Sequence, residues 1–100
     1  MTFKCISIIE AEELIKAGEA TLLDVRDPAS FANGNIPNSI NLSNQNVGNI
    51  IATSDKDKPV IIYCYHGNSS KNAADYFANN GFNQAYSVDG GYEVWKLRYL

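Results

Sequence analysis

The sequence predicts an α/β fold: a mainly parallel sheet of about five short strands with helices on both faces. Three observations predict it. Short apolar runs alternate with helical patterns along the whole chain. The most strand-like run, Val60-Ile61-Ile62-Tyr63, is rich in β-branched residues and carries no charge, which suits a strand buried on both faces. Helix-start and helix-stop residues fall between the runs. With 100 residues, 45% of them hydrophobic, one domain over residues 1–100 with one modest core is expected.

The elements follow in order. Phe3 to Ile6 reads as a short strand. Ser7 stands three residues before Glu10, a capping-box spacing, and opens a helix that Gly18 closes. Ile8, Ala11, Leu14 and Ile15 give that helix one apolar stripe. Thr21 to Val25 is an apolar run that suits a parallel strand. Asp27-Pro28 is a helix start, Asp at the cap and Pro in the first helical position, and the short helix ends near Asn33-Gly34. Ile40 to Leu42 is a minimal strand and Val47 to Ala52 a short helix; residues 54–59 form a polar turn. After Val60 to Tyr63 come Cys64 to Lys71, then a helix to about Asn80 with Ala73, Ala74, Phe77 and Ala78 on one face. Ala85 to Val88 is the last strand, and from Gly91 a terminal helix carries Val94, Trp95 and Leu97.

Charge narrows the function classes. Eight Lys and Arg against eleven Asp and Glu leave a net charge of −3. Nucleic acid and anionic membrane surfaces reward a basic face, so neither is expected as a partner. No stretch approaches the ~20 apolar residues of a membrane span, and the first ten residues lack the long apolar run of a secretory signal. The two cysteines, Cys5 and Cys64, are too few for a disulfide scaffold and make no metal spacing with the lone His66. A cytoplasmic protein with reduced thiols, no metal and no cofactor is expected.

Cys64 is the residue that carries chemistry. It stands where a buried strand ends, with a helix beginning a few residues on. A free thiol has a pKa near ~8.5, and a helix N-terminus lowers it through unpaired amide N–H groups and the macrodipole. Between Cys64 and the helix lie Tyr65, His66, Gly67, Asn68, Ser69 and Ser70. Gly67 lets the backbone curl, and the small polar residues leave the amides free to face one anion. A buried strand cysteine followed by a plain turn is the competing description, and the residues alone leave the two about even.

Three segments resemble motifs of one family. CYHGNSSK resembles the active-site loop of the rhodanese-type sulfurtransferases, in particular the single-domain, GlpE-type thiosulfate sulfurtransferases. LLDVRDPASFANGNIPNSINL is similar to their upstream Asp-x-Arg segment, and DGGYEVWK to their closing Gly-Gly-aromatic-x-x-Trp segment. The three occur in the family's order and span most of the chain. Two positions depart from the commonest pattern: Tyr65 stands where Arg is frequent, although the GlpE type shares the Tyr-His pair, and Asn35 stands where His is common.

The resemblance implies a rhodanese-like fold and a two-step sulfur relay. Cys64 takes a sulfur atom from thiosulfate or a related donor, then passes it to cyanide, a thiol or a thioredoxin-like protein. The loop from Tyr65 to Ser70 binds the anion and the persulfide.

Supporting roles are open to either of two descriptions. Asp24 and Arg26 flank Val25 at a strand end, where Arg26 attracts an anionic donor and Asp24 braces the loop, or the two form a structural ion pair. Lys71 adds positive potential near the sulfur, or is a solvated surface lysine. His66 donates to the donor anion, or is an exposed loop histidine. The Asp89-Gly90-Gly91 glycines serve backbone geometry, Trp95 and Phe77 belong to the core, and Cys5 is expected to be a small buried hydrophobe. Related folds hold a phosphoryl group with Cys-x5-Arg, but the sixth residue after Cys64 is Ser70, and Lys71 lacks the guanidinium fork. A persulfide carrier that serves a protein partner needs the same cysteine and loop as an enzyme, so the residues do not separate the two.

Overall fold

The computed structural model describes residues 2–99. Strand β1 is Lys4–Ile6, followed by helix α1 Ile8–Lys16; β2 is Thr21–Asp24, α2 Pro28–Asn33, β3 Ile40–Asn41 and α3 Val47–Thr53. The second half holds β4 Val60–Tyr63, α4 Ser69–Asn79, β5 Ala85–Val88 and α5 Gly91–Arg98. Every neighbouring pair is parallel and the strand order is β1-β5-β4-β2-β3, so β4 is central. The α/β architecture with helices on both faces is the one the sequence predicts.

Alternation along the strands divides the core in two. Leu23, Val60, Ile62 and Ala85 meet Ile50 of α3 and Ala74, Phe77 and Ala78 of α4. Leu22, Ile61, Tyr63 and Val88 point the other way, against Ile8 and Ala11 of α1, Ile36, and partly buried Tyr92 and Trp95 of α5. Successive side chains of a strand point to opposite faces, so a strand buried on both must be apolar throughout. In β4 all four residues are buried.

Local signals place the helices. Ser7 Oγ accepts from Glu10 N at 3.1 Å while Glu10 Oε1 accepts from Ser7 N at 3.0 Å, the reciprocal capping box. Gly18, just past the end of α1, has φ of 86°, the left-handed conformation that glycine adopts freely. Asp27 accepts from Ser30 N at 3.1 Å ahead of Pro28. Tyr63, fully buried, holds the chain after α2: its hydroxyl oxygen accepts from Ile36 N at 3.1 Å and lies 2.9 Å from Ser39 Oγ. Burial pushes its phenol up to about 12, so it stays a neutral structural group.

One expectation is corrected. Cys5 is exposed, not buried. β1 is an edge strand in which Ile6 turns inward and is the one buried residue. Cys5 points to the opposite face, alongside Ser87, where α3 and α4 cover the middle of the sheet and not its β1 edge. Leu97 and Val94 of α5 are also exposed, whereas Phe77 is fully buried. Among the described residues no helix is long and apolar enough to cross a membrane.

Candidate active site

The carboxyl ends of β4, β2 and β5 gather the candidate residues at one edge of the sheet, where open parallel sheets place their ligands. Cys64 is the first residue beyond β4 and is only 5% exposed. The chain then turns sharply into α4, and Gly67 makes the turn possible. Its φ is 95°, and a Cβ there would lie 2.9 Å from Gly90 N and 3.1 Å from Val88 O. The turn aims the Gly67 N–H at the sulfur, N to Sγ 3.1 Å.

The loop sorts its polar groups by direction. Its first two carbonyls face α5: Cys64 O accepts from Tyr92 N at 2.8 Å and Tyr65 O from Glu93 N at 3.1 Å. Those bonds satisfy two amides that the first turn of a helix otherwise leaves unpaired. They require close approach, since a Cβ on Gly91 would stand 2.3 Å from Cys64 O. With these carbonyls turned outward, the amides of the loop are left for the sulfur. No side chain caps α4, because Asn68 at its N-cap makes no side-chain hydrogen bond to the first turn.

Ser70, fully buried in the first turn of α4, sets its Oγ 3.4 Å from Cys64 Sγ. Burial pushes the Cys64 thiol up, but the Ser70 hydroxyl and the amides of Ser70, Gly67 and His66 outweigh it, holding the pKa below the ordinary thiol value. Every one of these donors is neutral. The cradle therefore favours negative charge on sulfur without a counterion in contact. Tyr65, His66, Asn68, Ser69 and Lys71 form an exposed rim around this buried floor. His66 Nδ1 lies 3.3 Å from Glu93 Oε1, and the Tyr65 and His66 rings meet edge to face at 4.4 Å between centroids.

Asp24 and Arg26 are satisfied largely by each other. Arg26 Nη2 is 2.6 Å from Asp24 Oδ2, and Arg26 Nε reaches Oδ2 at 3.0 Å. Asp24 is fully buried and the Arg26 side chain is 8% exposed. Nη2 also donates to Gly34 O at 2.7 Å, and the guanidinium covers the Tyr92 ring at 4.1 Å from its centroid. Of the two descriptions open for this pair, the geometry favours the structural one: it ties β2 and the end of α2 to the residue whose amide holds Cys64 O. Arg26 does line a cleft of about 240 Å³ with Tyr65, Tyr92 and Lys96 beside the loop.

Two site residues escape sequence reasoning. Ser87 of β5 places its Oγ 2.7 Å from Ser70 Oγ, and Glu93 partners His66. Nothing in a strand serine or a helix glutamate marks either one; a small polar residue inside the otherwise apolar run Ala85 to Val88 was the one signal for Ser87.

The model of the family described as Rhodanese-like domain matches residues 7–98, which include the cysteine, its loop, the Asp-x-Arg segment and the glycine pair. The chain belongs to the rhodanese-like domain family. Solved structures agree with that placement. A rhodanese-related protein from Thermoplasma volcanium shares 31% identity over 96% of this chain and 93% of its own, with a TM-score of 0.78. The human single-domain sulfurtransferase TSTD1, 18% identical, matches 94% of this chain and 96% of its own with a TM-score of 0.77, a likeness of fold. A Rhodopseudomonas palustris protein described as of unknown function and possible tyrosine phosphatase, 23% identical, covers 97% of this chain and 82% of its own at 0.81, again a likeness of fold. In this rhodanese-like domain the position that a Cys-x5-Arg phosphate loop gives to arginine is Ser70, buried and bonded to Ser87.

Proposed function

We propose that this rhodanese-like domain is a thiosulfate sulfurtransferase working through a persulfide on Cys64. The observation that carries the reading is the sulfur's cradle: Sγ sits nearly buried, with the Gly67 amide at 3.1 Å and the Ser70 hydroxyl at 3.4 Å. The Cys64 thiolate attacks the outer sulfur of thiosulfate. A new S–S bond forms, the old one breaks, and its electron pair leaves with sulfite. The negative charge now rests on the terminal sulfur, in reach of the loop amides that sulfite does not need. Cyanide or a thiol then attacks that terminal sulfur and the thiolate is restored. The activated nucleophile and the preorganised donors are the two things this chemistry asks of a protein.

The neutral cradle supports a sulfur rather than a phosphoryl group. A transferring phosphoryl group spreads charge over three oxygens and is matched by a guanidinium fork. Here the buried hydroxyl of Ser70 closes that side of the loop. The physiological acceptor, a small thiol or a thioredoxin-like protein, and a cytoplasmic setting that keeps both thiols reduced belong to the same proposal.

Mass spectrometry after incubation with thiosulfate tests it. The wild type is expected to gain one sulfur atom on the peptide containing Cys64, and Cys64→Ser to gain none. A wild type of unchanged mass, or sulfur on Cys5, overturns the reading. Turnover with thiosulfate and cyanide then separates an enzyme from a carrier, whose sulfur leaves only to a protein partner.

A further inference from the structure

Ser87 is fully buried in a strand next to the central one, in register with Ile62 of β4 and Cys5 of β1. A hydroxyl in such a place needs a partner, because water cannot reach it. Its partner is Ser70, also fully buried, at 2.7 Å, and Ser70 Oγ is in turn 3.4 Å from Cys64 Sγ. The three atoms form one chain that starts on β5 and ends on sulfur.

The protons of that chain can be counted. With Cys64 as a thiol, S–H donates to Ser70 Oγ and Ser70 O–H to Ser87 Oγ. Three protons then serve two contacts, and the Ser87 O–H is left over, with no further acceptor among the described residues. With Cys64 as a thiolate both hydroxyls reverse: Ser87 donates to Ser70, Ser70 donates to sulfur, and two protons fill two contacts. A buried donor without an acceptor is costly, and a hydroxyl that itself accepts a bond donates more strongly.

We propose that Ser87 is a positioning residue for Cys64, holding the Ser70 hydroxyl on the sulfur and completing a hydrogen-bond chain that is fully satisfied only in the thiolate. This deepens the sulfur-transfer reading by naming what poises its nucleophile. The other charged and titratable groups on the elements beside this hydrogen-bond chain are Cys5 of β1 (alongside Ser87), Tyr63 of β4, Tyr65 and His66 of the loop, Lys71 of α4, Asp89 before α5, Tyr92 and Glu93 of α5, and the Asp24–Arg26 pair at the end of β2. None of them is hydrogen-bonded to Cys64 Sγ, Ser70 Oγ or Ser87 Oγ among the described residues.

The test is the pH profile of iodoacetamide alkylation of Cys64 in a Cys5→Ala background, which leaves one thiol. Ser87→Ala leaves the surplus donor of the thiol on Ser70 but removes the bond that aims and strengthens Ser70 O–H toward sulfur. It is therefore expected to shift the profile to higher pH, so that alkylation below the midpoint slows about threefold while the high-pH plateau is kept. Ser70→Ala shifts it further, and adding Ser87→Ala to Ser70→Ala changes nothing more, because Ser87 acts through Ser70. The pair Ser87→Thr and Ser87→Val controls for folding: their shapes match, and only threonine, which keeps the hydroxyl, retains the lower midpoint. An unshifted Ser87→Ala profile, a shift of equal size with and without Ser70, or matching profiles for threonine and valine overturns the proposal. Alkylation needs no sulfur donor. Failure of Cys64 to take sulfur from thiosulfate therefore counts against the sulfur-transfer reading alone.

Discussion

Two neighbouring strands, β2 and β4, run parallel in register and each hands its chain to a helix at the same edge of the sheet. The two junctions are built alike and do different things. After β2, the charged residues find each other: Asp24 holds Arg26, and Asp27 caps α2 through Ser30 N. After β4, the chain carries no charged side chain until Lys71, and α4 has no side-chain cap. The Cys64 sulfur takes the acceptor's place instead, receiving the Gly67 amide. The first junction is closed electrostatically by its own residues. The second keeps donors converged on an atom that can change its charge, the feature on which the proposed sulfur chemistry rests.

The comparison is broken most severely at Arg26. Arg26→Ala leaves the fully buried Asp24 carboxylate with the Arg26 backbone N–H, 2.7 Å away, as its remaining hydrogen bond. Removing one partner of a buried pair costs about 3–5 kcal/mol, a large share of a small domain's stability. Urea unfolding is expected to show that loss, while molecules still folded continue to load sulfur on Cys64. Unchanged stability with a lost thiosulfate reaction would assign Arg26 to the substrate and erase the contrast between the junctions.

How much of this was legible depends on how far apart the partners lie in the chain. The β4 run, the cysteine at its end, the Ser7–Glu10 box and the Asp27-Pro28 start are all local patterns, and all stand where they were read. The Asp24–Arg26 spacing was equally visible. Its closure was not, because Gly34 O and the Tyr92 ring come from segments that only the folded chain brings near. Ser87 and Glu93 escaped for the same reason, their partners lying 17 and 27 residues away. Cys5 was misplaced because alternation tells which way a residue points and not whether its strand lies at an edge. Strand order settles that, and strand order is set by pairing across the whole chain.

Lys71 sharpens the comparison with a smaller effect. It stands exposed in the first turn of α4, the nearest cation along the chain to the loop. An exposed charge attracts an anionic donor equally before and during reaction, so Lys71→Ala is expected to raise the KM for thiosulfate about threefold with kcat unchanged. Added salt should shrink the difference, since the Debye length is about 10 Å at 0.1 M. Steady-state assays at two ionic strengths check both points, and an unchanged KM leaves the neutral cradle as the whole of the donor's welcome.

The smallest effect is expected at Cys5, and it bears on whether the second junction works alone. A resolving thiol would need to reach Cys64. Cys5 lies on β1, which pairs with β5, which pairs with β4, so two strand spacings separate it from the strand that ends at Cys64. At about 4.8 Å each, that is about 9.6 Å between backbones, beyond the ~7 Å over which a disulfide forms without backbone movement. Cys5 also faces solvent, where it can meet another molecule more easily than the buried sulfur of its own chain. Cys5→Ala should therefore keep the rate of sulfur transfer to an external acceptor within about twofold, because such an acceptor collects the sulfur without a second protein thiol. Non-reducing gels should show the companion effect: a disulfide-linked dimer formed by the oxidised wild type and lost in Cys5→Ala. Turnover that disappears in a folded Cys5→Ala protein would mean that the edge strand moves to the loop during the reaction, and that the neutral cradle around Cys64 does not complete the chemistry by itself.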